Sequence, residues 1–323
     1  MKPLTFNRSG FTIVELMAVV AILAILAAIV LVGARSLDAA AMSSADLAHQ
    51  RQIALADAQY AAANDSRLLH PRTEPDDAQF DFMDSDPNYD LAGKTPGQLA
   101  EDARERMWVR AYNDPSAQRL ESLDGASISA ERPAALSDGA AWEYLDGNLD
   151  VYRSPLDPTN RLRSYSLNAF VGVNVCADDA YFAQGSPLDP FGGDFIIYAV
   201  GCPTMMGVKQ PSRTMCSIAE DDPGESGHPP GRNFNGFLLH PNQQVGAYEN
   251  FQMWYDRPGL WDPTRINLSH MDGSTQSMPI TTPDLVETLD SHRVIFDCTE
   301  LRQLQQKLLP GVLEFRTEDD LPN

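Results

Sequence analysis

The sequence predicts an α+β protein: one long N-terminal helix, apolar in its first half and amphipathic in its second, packed on an antiparallel-sheet head. Three observations predict it. From Phe11 to Ala63 there is no proline, and Gly33 is the only glycine, so nothing in this stretch breaks a helix. After Asp150 the texture changes to short apolar segments punctuated by turn residues, the pattern of strands. Asp272-Gly273 separates two such segments and signals a hairpin, because both residue types tolerate positive φ.

The helix begins in an unusual way. Residues 1–10 read MKPLTFNRSG, with Lys2 and Arg8 positive and no acid. The next 23 residues, Phe11 to Gly33, carry a single charge, Glu15. Roughly 20 apolar residues match the hydrocarbon thickness of a bilayer. The basic flank precedes them, which keeps residues 1–10 cytoplasmic and sends the C-terminal bulk outward. A secretory signal would have a shorter apolar core with a small-residue cleavage site after it. A carboxylate inside such a segment is costly and implies a partner.

The run Arg8-Ser9-Gly10-Phe11-Thr12-Ile13-Val14-Glu15-Leu16 closely resembles the processing site of type IV prepilins and pseudopilins. The resemblance implies a leader of residues 1–10, removed after Gly10 by an inner-membrane prepilin peptidase that also methylates the new amine of Phe11. It places Glu15 at the fifth mature position, an assembly residue rather than a catalytic one. It further implies a pilin-like fold, other pilin-like subunits as partners, and a single-pass inner-membrane protein with its head in the periplasm or outside.

Beyond Gly33 the chain is Ala-rich, and Leu37, Ala41, Ala45, Ala48, Gln52, Leu55 and Gln59 recur at helical spacing as a weakly apolar stripe. Asn64-Asp65 is the expected stop, giving a helix of roughly 80 Å ahead of a head spanning 64–323. A chain starting at residue 34 or at residue 64 is expected to stay soluble and folded. Residues 64–94 read as an irregular connection. Gly93-Lys94-Thr95 fails as a phosphate loop because Asn88 stands where the upstream glycine is required. Thr95-Pro96 instead opens a helix to about Tyr112 with Leu99, Ala103, Met107 and Ala111 inward. A short helix is expected over Ser137–Leu145, with Trp142 and Leu145 inward. Strands are expected at Ser164–Val175, Phe195–Val200, Thr214–Ala219, Gly236–His240, Arg265–His270 and Ser274–Ile280. A terminal helix near Thr299–Leu309 turns Leu301, Leu304 and Leu308 to one side.

A second resemblance is scattered along the head. Ser154-Pro155-Leu156-Asp157-Pro158, then Ser164-Tyr165-Ser166-Leu167-Asn168, is similar to the CPSDP…SYxxN stretch of a pseudopilin-like family named for its H-x9-DG motif. Lys209 to Arg213 and Ala219-Glu220 resemble its kxPSxt…aE strand, and Asp272-Gly273 its closing hairpin. Two departures stand out: Ser154 replaces the usual cysteine, and Asp262, not histidine, lies ten residues before Asp272.

Composition bounds the function. The chain has 323 residues, 45 acids against 24 bases and a net charge of -21. With no local basic patch, nucleic acid is excluded as a partner. No cofactor is implied, although Asp221, Asp222, Asp256 and Asp262 are candidate calcium ligands, without the spacing of an EF-hand. Cys176, Cys202, Cys216 and Cys298 allow up to two disulfides or remain free thiols, and none forms a C-x-x-C pair. The six histidines fall in no catalytic motif. Alternatives to an assembling subunit are a membrane-tethered binding module using Trp254, Tyr255 and Trp261, and a tethered hydrolase using paired carboxylates.

Overall fold

A computed structural model describes residues 13–73, 93, 95–110, 133–159, 161–173, 201–221, 236–239, 251–254, 256–291, 294–296 and 298–310. In chain order the helices are α1 (Ile13–Ala63), α2 (Pro96–Arg106), α3 (Pro133–Ser137), α4 (Leu285–Ser291) and α5 (Thr299–Leu308). The strands are β1 (Tyr165–Leu167), β2 (Met215–Ala219), β3 (Phe251–Met253), β4 (Arg265–His270), β5 (Thr275–Pro279) and β6 (Val294–Phe296). The chain forms two compact units, Met1–Ser44 and Ala45–Asn323, and α1 contributes to both. The fold is α+β, with one long apolar-led helix and an antiparallel sheet.

In the second unit, β1-β2-β4-β5 form one sheet with every described pair antiparallel, and β3 pairs β6 separately. Every residue of β1 and β2 is buried, so both faces of this half of the sheet are covered. β1 and β5 are the two edges, and β5 is the exposed one. It turns only Met278 fully inward and ends on Pro279, whose missing N–H is tolerated there. The β4–β5 hairpin forms where the Asp-Gly pair sits, but only Gly273 takes positive φ (80°). Gly273 N–H donates to the His270 carbonyl (2.9 Å) and His270 N–H to the Ser274 carbonyl (2.9 Å). This is the longer loop closed by one left-handed glycine rather than the two-residue turn.

Where expected elements fell short, competing backbone contacts explain it. α2 starts at a capping box: the Thr95 hydroxyl accepts from the Gln98 amide, and the Gln98 side chain accepts from the Thr95 amide (2.9 Å). It stops at Arg106, not Tyr112, because residues 106–108 pair with His70: His70 N–H reaches the Arg106 carbonyl (2.6 Å) and Trp108 N–H the His70 carbonyl (3.1 Å). The expected 137–145 helix is instead α3 followed by a 3-10 turn at Glu143–Leu145. The intervening Ala140 amide is taken by the Met107 carbonyl (2.8 Å). Strand β1 ends at Leu167, and 236–239 contributes only an isolated bridge from Phe237 to Asn168. The cause is Asn168, whose side chain donates to the Met215 (3.0 Å) and Leu308 (2.7 Å) carbonyls and accepts from Phe170 N–H (3.1 Å). The expected strand 195–200 lies outside the described residues; β3, β6 and α4 were not anticipated. In α5, Leu301, Leu304 and Leu308 are buried as expected, each contributing about 1.5–3 kcal/mol.

Candidate functional site

The first half of α1 is an apolar rod. Ile13–Leu31 has mean hydropathy 3.0 and no part of it is buried. Leu, Ile, Val and Ala side chains satisfy no polar group, so the segment hydrogen-bonds only within its own backbone, the form a bilayer requires. Glu15 lies exposed in the first turn, where a carboxylate meets the positive end of the helix dipole. Gly10 and Phe11 lie outside the described residues, as does Asp222.

From Ala45 onward the same helix is built differently. The expected stripe faces outward: Leu55 is 41% exposed, and Ala48, Gln52 and Gln59 are exposed. In the first unit Leu37 is 72% exposed. The buried line is instead Asp46, Gln50, Ile53, Asp57 and Tyr60, spaced alternately three and four residues apart and therefore on one helical face. A search for apolar periodicity misses it because three of its five members are polar.

Asp46 is the centre of this face. Its Oδ1 accepts from the Ser154 hydroxyl and from the Tyr165 phenol (2.7 Å). Its Oδ2 accepts from the side-chain amides of Gln50 (3.1 Å) and Asn267 (3.0 Å). Gln50 also donates to the Asn267 carbonyl (3.0 Å). One carboxylate thus joins α1 to the loop before β1, to β1 and to β4, four donors sharing its charge. Burial and the Asp46 charge push the Tyr165 phenol well above its usual range, so it stays a donor.

The Ser154–Asn168 motif residues occupy the same structure. Ser154, which stands where the resembled family has cysteine, donates to Asp46. Asp157 accepts from Thr159 N–H (2.8 Å), Arg161 (3.2 Å) and the Ser164 hydroxyl. Nearer the end of α1, Asp57 is buried and accepts Leu69 N–H (2.8 Å). Burial raises its pKa to about 7, against that hydrogen bond and the Arg106 charge. His70 is driven well below its ordinary value by burial, with Arg106 and Arg72 adding to the effect. Arg106 is itself buried and donates to the Leu68 (2.7 Å) and Gly172 (2.6 Å) carbonyls. Burial lowers its pKa to about 10.

Each described calcium candidate has a protein partner. Asp221 faces Arg161 (3.6 Å), Asp256 accepts the Leu238 amide, and Asp262 pairs with Arg265 (3.2 Å) while capping Thr264. Among the described residues no three His, Cys, Asp or Glu side chains come together to hold a metal ion. Cys202, Cys216 and Cys298 are buried and form no disulfide with one another; Cys176 is outside the described residues. Ser274 Oγ stands between Asp272 Oδ1 (2.6 Å) and His270 Nδ1 (3.2 Å). Trp254 is completely buried. Trp261 is half-buried against the core, beside Gly259 and under the Arg161 guanidinium (5.3 Å); Tyr255 is outside the described residues.

Residues 5–31 match a family model described as the prokaryotic N-terminal methylation motif. The match takes in Gly10, Phe11 and Glu15 and ends where the apolar span ends. It supports a processed subunit of type IV pilin-like, prepilin type. No curated protein and no solved structure matches the chain.

Proposed function

We propose that this chain is a pseudopilin: a structural subunit cut after Gly10 by a prepilin peptidase, methylated at Phe11, held in the inner membrane by α1, and assembled with other pilin-like subunits in a type II secretion or type IV pilus-like machine. The observation that carries the reading is the coincidence of the methylation motif over 5–31 with the apolar span Ile13–Leu31 and its acidic first turn. Cutting after Gly10 leaves the Phe11 amine at a helix N-terminus at the edge of hydrocarbon. Glu15 of a neighbouring subunit supplies its counter-charge, and in a low-dielectric helix bundle that pairing sets the axial stagger between subunits.

Mass spectrometry of the N-terminus in the membrane fraction tests the proposal. A chain beginning at methylated Phe11 is expected. An intact Met1, or a cut near residue 30, overturns it. Gly10→Val should crowd the peptidase site and leave the uncut chain in the membrane.

A further inference from the structure

At the closed end of the β4–β5 hairpin a half-buried lysine and a buried histidine meet. Lys307, in the last turn of α5, places its Nζ 3.3 Å from His270 Nε2. An ammonium group only donates, so Nε2 is the acceptor and the ring proton of neutral His270 sits on Nδ1. That proton points to Ser274 Oγ (3.2 Å), whose hydroxyl donates to Asp272 Oδ1 (2.6 Å). The contacts run in one direction, Lys307 to His270 to Ser274 to Asp272, and tie the helix to the turn.

We propose that a proton and the Lys307 ammonium compete for the Nε2 lone pair of His270, so that acidification unlatches the last turn of α5 from the β4–β5 hairpin. Protonated His270 has two donors and no acceptor, and it would set two cations 3.3 Å apart. The groups facing the pair reinforce this. Arg213, ahead of β2, adds positive charge at Lys307. Among the described residues Asp272, in the turn, is the one acid acting on His270, and it is already engaged by Ser274. Burial and Lys307 together lower the His270 pKa, so the latch is closed at neutral pH. The core leucines Leu301 and Leu304 and the Glu300 contacts hold the start of α5 independently, and the carbonyl of buried Leu308 stays on Asn168 (2.7 Å), so the effect is confined to the Lys307 side of the C-terminal turn. The device operates whether or not the chain assembles.

The test uses the full chain in detergent. Nitrogen-15 NMR of the imidazoles should show His270 as the Nδ1–H tautomer at pH 7.5; an Nε2–H tautomer overturns the proposal. Amide exchange of residues 305–309, corrected for intrinsic rates and referenced to β4, should then speed up as pH falls below the ordinary histidine value of 6.5, which the released ring regains, and level off below the lowered value of the latched ring. For an opening coupled to one proton the rise approaches about tenfold per pH unit. Lys307→Met keeps the aliphatic stem and removes the competitor, so its 305–309 exchange should lose that dependence. Identical pH dependence in wild type and Lys307→Met, or none in wild type, overturns the latch.

Discussion

Two carboxylates on α1 sit in opposite circumstances. Glu15 lies exposed in the first turn of an apolar segment that buries nothing within the chain. Asp46 is buried at 1% exposure among four donors from its own head. A buried charge is tolerated only when hydrogen-bonded, and the two regions reach that condition by different routes. Asp46 is satisfied by folding; Glu15, in the proposed function, is satisfied across subunits by assembly. One helix thus serves as a structural member of the head over Ala45–Ala63 and, in the proposed function, as the segment that joins subunits over Ile13–Leu31.

The largest expected effect separates the two halves by truncation. A chain beginning at residue 34 loses only the apolar segment and should be soluble, with a cooperative thermal transition. A chain beginning at residue 64 loses Asp46, Gln50, Ile53, Asp57 and Tyr60, all buried. Ile53 and Tyr60 alone remove several kcal/mol of burial, a large share of a net stability of about 5–15 kcal/mol. Against the expectation from sequence, it should aggregate or melt without a transition, because the buried face of α1 belongs to the head core. Equal cooperative melting of both chains would show that α1 is not part of the head core.

Point substitutions sharpen the same contrast. Glu15→Ala should leave insertion, cleavage and the head transition unchanged while removing the acceptor for a neighbour's Phe11 amine. Losing one partner of a buried pair costs about 3–5 kcal/mol, more than about a hundredfold in association. Crosslinked ladders in the membrane should therefore shrink for Glu15→Ala and Glu15→Gln. Asp46→Ala should do the reverse. It leaves Ser154, Tyr165 and two amides without their acceptor, a loss of about 3 kcal/mol, and lowers the head transition by several degrees. Normal ladders for Glu15→Ala would sink the assembly role; an unmoved transition for Asp46→Ala would sink the internal one.

The contrast also explains what could be read from sequence. The apolar span and its lone acid were legible because the bilayer rule depends only on composition and length, β4 and α5 because their apolar residues recur at regular spacing, and β5 because Asp272-Gly273 marks the hairpin that pairs it with β4. The docking face of α1 was not legible. Its burial rests on polar side chains, Asp46, Gln50 and Asp57, whose partners Ser154, Tyr165, Asn267 and Leu69 come from distant segments. Apolar counting therefore selected the exposed Leu55 side. The Ser154–Asn168 motif was visible as a string, but its task of holding Asp46 and bridging β1 to β2 and α5 appears only once those segments meet.

A smaller effect comes from pH. The folded pKa of Asp57 is about 7 against 3.8 unfolded, so between those values the folded state keeps a proton that the unfolded state has released. Stability from this group falls as pH rises through the window and is flat above it. His70 is shifted the other way: its contribution is present above the unfolded value of 6.5 and is lost as pH falls below it. Between pH 5 and 6.5, roughly, the two slopes oppose, each at most about 1.4 kcal/mol per pH unit. Wild-type stability in denaturant should be nearly flat there. Asp57→Asn should rise with pH, and His70→Asn should fall. Parallel profiles for both variants would mean that these residues do not titrate as their burial requires.

The smallest effect contrasts two glycines, one in each unit. At Gly33 an added Cβ meets nothing within 4 Å, and the residue sits inside α1. There glycine only weakens the helix, so Gly33→Ala should strengthen it by about 0.5–1 kcal/mol. Slower amide exchange around residue 33, with an unmoved head transition, would register the change. At Gly273 the backbone is left-handed, with φ 80°, and an added Cβ lies 3.2 Å from Leu55 Cδ2. Gly273→Ala should therefore cost about 1–2 kcal/mol, lowering the head transition by a few degrees. Asparagine tolerates this conformation better than alanine, so Gly273→Asn should lose less. That ordering isolates backbone strain from crowding, because asparagine is the larger side chain. If Gly273→Asn melted below Gly273→Ala, contact with Leu55 rather than φ would govern the hairpin. The turn would then be set by packing on the second half of α1.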